Sequence, residues 1–163
     1  MARGLWPSNV KADENIRTNR DRLSGKVGPP LVRILVVDDN PAVRHYLRAI
    51  LEQQNSWQIC GEARTGEEAL QRAQDSAPDV ILLDFLMPDM NGLDIAREIH
   101  RSKPRLPMLM VSVYMSSQLA AAAKAVGISG ACAKSDVGSI VEAVRTVLQE
   151  KTYFPKMIAE VMR

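Results

Sequence analysis

Cysteine is scarce in this chain. Its two, Cys60 and Cys132, both lie in apolar strand-like stretches, without the close spacing of a thiolate metal site. They read as buried, reduced thiols. Long apolar runs are missing as well. No stretch approaches the roughly 18 apolar residues that a membrane span requires, and the N-terminus lacks the apolar segment of a secretory signal. A cytoplasmic protein with no membrane partner is expected. Nor is there much charge of one sign: the formal net charge is +2 over 163 residues. Six Lys/Arg and three Asp/Glu fall within residues 1–30, which leaves 15 basic and 16 acidic residues for 31–163. That near-neutral remainder gives no electrostatic reason to expect nucleic acid as a partner of this chain alone. What is present, 46% hydrophobic and 25% charged residues, is ordinary for one soluble domain with a proper core.

Residues 1–30 are polar, carry scattered charge and end in Gly28-Pro29-Pro30. No apolar period of 2 or 3.6 is sustained there, so the segment reads as a disordered leader. Leu5-Trp6 is the one feature in it suited to docking, and its basic excess reads as a solvated tail. From Leu31 onward strand and helix patterns alternate. Leu31–Val37 is a buried strand, and Asn40-Pro41 supplies an N-cap and a first-turn proline for a helix carrying Val43, Leu47, Ile50 and Leu51. Trp57–Ala63 is a second strand. Thr65 and Glu68 form a capping box ahead of Ala69, Leu70 and Ala73. Asp79–Leu83 is the third strand, and the loop Phe85–Met90 leads to a helix capped by Asn91. Pro107–Val113 is the fourth strand, and an alanine-rich helix over Ser116–Val126 stops at Gly127. Ile128–Ala133 is the fifth strand, and Asp136 or Ser139 opens a last helix. Five apolar strands alternating with five helices imply an α/β, doubly wound parallel sheet, with right-handed crossovers.

Two of the buried-strand patterns close on carboxylates. Ile34-Leu35-Val36-Val37 runs into Asp38-Asp39, and Val80-Ile81-Leu82-Leu83 runs into Asp84. Ligands of open α/β sheets bind beyond the carboxyl ends of the strands. Three carboxylates gathered there repel one another unless a hard divalent cation, usually Mg²⁺, holds them. Asp84 is then a metal ligand, a nucleophile, or both. The fourth strand pattern adds Ser112 to the same edge and the fifth adds Lys134. An acidic cluster, a hydroxyl and a lysine suit phosphoryl chemistry, in which a carboxylate attacks and the remaining groups position and neutralise the oxygens. Each residue alone has a plainer explanation: Asp38 or Asp39 caps the helix at Pro41, Asp84 opens a turn, Ser112 satisfies a loop, Lys134 is solvated. Four such coincidences at one edge favour the joint reading.

The combination resembles a known family. Val36-Val37-Asp38-Asp39, the run Asp84-Phe85-Leu86-Met87-Pro88-Asp89-Met90-Asn91-Gly92, Val111-Ser112 and Ala133-Lys134-Ser135 resemble the receiver domain of two-component response regulators, the CheY-like flavodoxin-type fold. The resemblance covers about 31–150 and leaves 151–163 as a C-terminal linker or tail. It implies a five-stranded sheet in the order 2-1-3-4-5. It implies that Asp84 is the phospho-acceptor, that Asp39 binds Mg²⁺ with Asp38 assisting through water, and that the Leu86 backbone carbonyl is a further metal ligand. Ser112 would bond a phosphoryl oxygen and Lys134 would pair with the acyl phosphate. The implied donor is a phosphohistidine on a sensor histidine kinase or histidine phosphotransfer protein. The implied output is a downstream protein target or a homodimer, and the implied enzymology is limited to self-phosphorylation and slow autophosphatase activity. Val147–Pro155 also resembles the linker that follows receivers in LuxR-type regulators, whose helix-turn-helix domain would begin beyond it. A stand-alone receiver and an N-terminal fragment of a LuxR-type DNA-binding regulator are therefore both open.

Departures from the pattern carry expectations of their own. Lys134 is followed by Ser135-Asp136 where many receivers have proline. Alignment on Gly130 and Lys134 places Ala131 at the position of the aromatic residue that usually reports phosphorylation, which implies a weaker conformational switch centred on the loop and helix after Ser112. Tyr114 reads as an ordinary surface tyrosine. With Leu86 it flanks the acceptor, which implies slow loss of the phosphoryl group. The face built from the fourth helix, fifth strand and fifth helix is the expected contact surface.

Overall fold

The computed structural model describes residues 30–154. Residues 1–29 and 155–163, and with them the leader and the end of the tail, lie outside the described residues. The described chain runs β1 (Val32–Val37), α1 (Pro41–Leu51), β2 (Trp57–Ala63), α2 (Gly66–Asp75), β3 (Val80–Leu83), α3 (Gly92–Ser102), β4 (Met108–Ser112), α4 (Ser117–Ala125), β5 (Gly130–Ala133) and α5 (Val137–Leu148). All neighbours in the sheet are parallel, and the order is β2-β1-β3-β4-β5. The expected topology is the one found.

The three central strands are nearly continuous Val, Ile, Leu and Met because both faces of a parallel sheet are covered. One apolar layer holds Leu35, Val37, Ile81, Leu83, Met108 and Met110 against Ala69, Ile95, Ile99 and Ala120, and so against α2, α3 and α4. The other holds Ile34, Val36, Leu82, Leu109 and Val111 against Leu47, Leu51, Ile140 and Val144, and so against α1 and α5. Burying each large aliphatic side chain contributes about 2 kcal/mol.

Helix starts follow the sequence signals. Asn40, Thr65, Asn91, Ser116 and Asp136 each accept a backbone N–H with their side chains, so Asp136 rather than Ser139 caps α5. The capping box at α2 is only half made. Thr65 accepts from the Glu68 N–H, but Glu68 reaches back to the Arg64 N–H at 3.0 Å instead of to Thr65.

Two features have no counterpart in the sequence reading. The first is a bulge in β2: Ile34 pairs with Ile59 and Leu35 with Gly61, so Cys60 is the extra residue. The second lies beyond α5. Tyr153 donates its N–H to the Ser129 carbonyl at 3.0 Å and accepts from the Ala131 N–H at 2.8 Å, as a short parallel addition to the outer edge of β5. Its ring packs on the α5 side of the sheet and Phe154 on the α4 side, with Lys124 over the Phe154 ring. Tyr153 and Phe154 thus dock the end of the described segment onto the sheet. Cys132 is buried, whereas Cys60 at the bulge is only half-buried, which corrects the expectation that both thiols are enclosed.

Candidate functional site at the carboxyl edge of the sheet

The backbone ladder continues past the strand ends and fixes the residues that follow. The Asp38 N–H donates to the Ala63 carbonyl at 3.0 Å, Asp84 to Val37 at 2.9 Å and Lys134 to Ser112 at 3.0 Å. These bonds bring Asp38, Asp39, Asp84, Ser112 and Lys134 to one edge, as the strand patterns imply. A carboxylate oxygen from each of Asp38, Asp39 and Asp84 lies within 4.8 Å of the others. Asp38 and Asp84 are buried, at 1% and 6% exposure, while Asp39 stands in solvent at the mouth. Ser112 is also buried, and its neighbour in β5 is Ala133.

Lys134 reaches into this cluster. Its Nζ lies 2.5 Å from Asp38 Oδ2 and 3.2 Å from Asp84 Oδ1. Asp38 Oδ1 accepts the Asn40 N–H at 2.9 Å. Burial pushes the Asp84 carboxyl above its usual range, Lys134 opposes the shift, and the negative charge of Asp38 adds to it. Three carboxylates facing one ammonium leave an excess of negative charge on hard oxygen donors. That donor set fits a hard divalent cation of the Mg²⁺ or Ca²⁺ type and not a soft one.

The loop after Asp84 is held from several sides. Gly92 donates to the Phe85 carbonyl at 2.7 Å, and a Cβ on Gly92 would sit 2.3 Å from the Asp84 carbonyl oxygen. The start of α3 therefore approaches the backbone of Asp84 closely enough to require glycine. Asp89 accepts from the Gly66 and Glu67 N–H groups at 2.7 and 3.1 Å, so it stabilises the N-terminal end of α2. The Gly66 hydrogen bond is the main cause that holds the Asp89 carboxyl below its usual range. Leu86 and Tyr114 are 62% and 82% exposed. Ala131 is fully buried, facing α2, α3 and α4. Sequence reasoning did not single out Asp89 or Gly92 for these contacts. It missed Arg44 altogether, a residue of α1 whose guanidinium bonds the carbonyls of Asp38 and Asp39.

Comparison with known proteins bears on the fold and the family. The family model "Response regulator receiver domain" matches residues 34–145. The chain is 33% identical over 133 residues to the response regulator UvrY of Escherichia coli K12, an alignment covering 81% of this chain and 61% of UvrY. A LuxR-family two-component response regulator from Aurantimonas superimposes with a TM-score of 0.76 at 27% identity, covering 80% of this chain and 94% of that one. The receiver domain of the NarL regulator from Mycobacterium tuberculosis gives a TM-score of 0.70 at 30% identity, with coverage of 76% and 100%. The chain belongs to the response regulator receiver domain family. It spans about 61% of the length of these curated relatives. Among the described residues no helix is long and apolar enough to cross a membrane.

Proposed function

We propose that this chain is a phosphoryl-accepting switch in which Asp84 takes a phosphoryl group from a phosphohistidine on a sensor histidine kinase or phosphotransfer protein. The observation that carries this reading is the junction of Asp84 with Asp38, Asp39 and Lys134 at one strand edge. An Asp84 carboxylate oxygen attacks phosphorus, the P–N bond to the donor imidazole breaks with its electron pair staying on nitrogen, and an acyl phosphate results. Burial makes the Asp84 carboxylate more basic than an exposed one, which favours attack. Lys134 pairs with the phosphoryl oxygens, and for that it must loosen its hold on Asp38. Ser112 bonds a second oxygen. Asp39 with Asp84 and the Leu86 carbonyl would hold Mg²⁺ directly and Asp38 through water, and the bound ion would neutralise the charge of the transferring group. The chain is an acceptor rather than a turnover enzyme, with slow self-dephosphorylation flanked by Leu86 and Tyr114.

Output follows as a population shift of the receiver toward a second arrangement, read by a protein target or a second copy through α4, β5 and α5. The greater length of the curated relatives favours a second reading, in which this chain is the receiver part of a LuxR-type DNA-binding regulator. Coding sequence for a helix-turn-helix domain after Arg163 would decide for it. The main test is incubation with acetyl phosphate followed by intact mass measurement. Wild type is expected to gain one phosphoryl group with Mg²⁺ and none with EDTA, and Asp84→Ala none in either. An Asp84→Ala protein that gains the group as wild type does would refute the assignment.

A further inference from the structure

Asp39 depends on its backbone for placement. Its carboxylate makes no hydrogen bond or ion pair among the described residues, and it stands in solvent. The Asp38-Asp39 backbone is held by the Asp38 N–H bond to Ala63, by the Asn40 N–H bond to Asp38 Oδ1 and by one side chain on α1. Arg44 Nη1 donates to the Asp38 carbonyl at 2.8 Å and to the Asp39 carbonyl at 3.3 Å. Its Nε donates to Glu62 Oε2 at 3.1 Å, and the Arg44 side chain is only 16% exposed. Glu62 is held in turn by Arg48, whose Nε and Nη2 lie 3.0 and 2.6 Å from Oε1.

Glu62 stands on this side of the sheet because of the bulge. Before it, Ile59 faces the layer of α1 and α5; after it, Ala63 faces the opposite layer, although the two are an even number of residues apart. In a regular strand they would share a face, and Glu62 would point away from α1. The extra residue, Cys60, turns Glu62 toward Arg44 and Arg48, as bulges beside functional sites re-aim side chains. Burial pushes the Glu62 carboxyl up, but the hydrogen bonds from Arg48 and Arg44 outweigh it and hold the group below its usual range. An ionised Glu62 therefore anchors Arg44.

We infer that Arg44 is a positioning residue for the metal-binding edge: through the two carbonyls it presents Asp38 and Asp39 for a divalent cation, with the β2 bulge and Glu62 as its support. The inference rests on the reading of the acidic edge as a Mg²⁺ site. Its sign separates it from simple electrostatics. Removing a guanidinium near a cation site should tighten cation binding through charge alone, whereas loss of positioning should weaken it.

Mg²⁺ binding to the full chain, measured by calorimetry for wild type, Arg44→Met, Arg48→Met and Asp39→Ala, provides the test. Arg44→Met is expected to weaken Mg²⁺ binding by about tenfold, as is usual when a partner behind a ligand is removed. Arg48→Met, which removes another Glu62 ion pair from the same helix but touches neither carbonyl, is expected to bind as wild type does. Arg44→Lys, the milder change if Arg44→Met does not fold, keeps the charge but loses the fork and is expected to weaken binding too. Unchanged or tighter binding by a folded Arg44 variant overturns the inference, and so does an equal loss in Arg48→Met. If Asp39→Ala binds Mg²⁺ as wild type does, the metal site itself is misassigned and the inference falls with it. In that case the fault lies in Asp39 rather than in Arg44.

Discussion

Asp84 works against the stability of its own fold. Its carboxyl is raised by burial, so the native state favours the protonated form more than the unfolded chain does. The corresponding stability is present below the ordinary carboxylate pKa and is lost as pH rises through the raised one. At neutral pH the buried carboxylate is a net cost. Asp84→Asn removes it while Lys134 keeps Asp38 as a partner, so the variant is expected to be more stable by about 1 kcal/mol at pH 7. The advantage should shrink in acid, where wild-type Asp84 is protonated. Urea unfolding at both pH values checks this, and a destabilised Asp84→Asn at pH 7 would contradict it. Cys132 offers an independent check on burial. Its thiol is pushed up to about 12 by desolvation, with Asp136 adding to the shift, so it should stay inert to a thiol-reactive disulfide reagent at pH 8 until the protein is unfolded. Rapid modification of Cys132 in the folded state would show that β5 opens.

The segment after α5 behaves as part of the sheet, and Gly130 makes that possible. A Cβ at Gly130 would lie 2.7 Å from the Tyr153 carbonyl oxygen and 3.1 Å from a Leu109 methyl. Gly130→Val is therefore expected to unseat residues 151–154 and to cost about 1–3 kcal/mol by overpacking. Hydrogen exchange should show Ala131 and Tyr153 amides losing protection together, and unchanged protection of either would contradict the docking. This contact matters for the missing aromatic at Ala131. The backbone N–H of Ala131 is tied to the docked segment, so movement of β5 and movement of that segment are mechanically linked. The sequence made the five strands legible because buried parallel strands are continuous apolar runs, and it made the helix starts legible because Asn40, Thr65 and Asn91 are cap residues. It did not reveal the bulge, for which Gly61 inside a strand was the sole hint. Nor did it reveal the docking of Tyr153, since four residues of mixed character carry no period.

The whole molecule brings together groups that are remote in sequence. Asp84, Asp38 and Lys134 were recognisable as candidates because each follows an apolar strand and because the motifs around them resemble one family. Their mutual distances were not, since spacing along the chain says nothing of how far Lys134 reaches across the sheet. The same limit hid Arg44, whose partners are backbone carbonyls. In the proposed switch Lys134 exchanges Asp38 for a phosphoryl group, and β5, with Lys134 at one end and the Tyr153 contact near the other, carries the change. Because Ala131 lacks a ring, amide shifts across Gly130–Ala133 on adding beryllofluoride are expected to be small, and large shifts there would refute the weak-switch reading. The most direct measurement of the central claim is fluorine NMR of the protein with beryllofluoride, a phosphoryl mimic that bonds a carboxylate oxygen. Wild type is expected to show bound fluorine resonances that appear only with Mg²⁺, and Asp84→Asn is expected to show none. Bound resonances in Asp84→Asn, or their absence from wild type with Mg²⁺ present, would contradict the assignment of Asp84 as the acceptor.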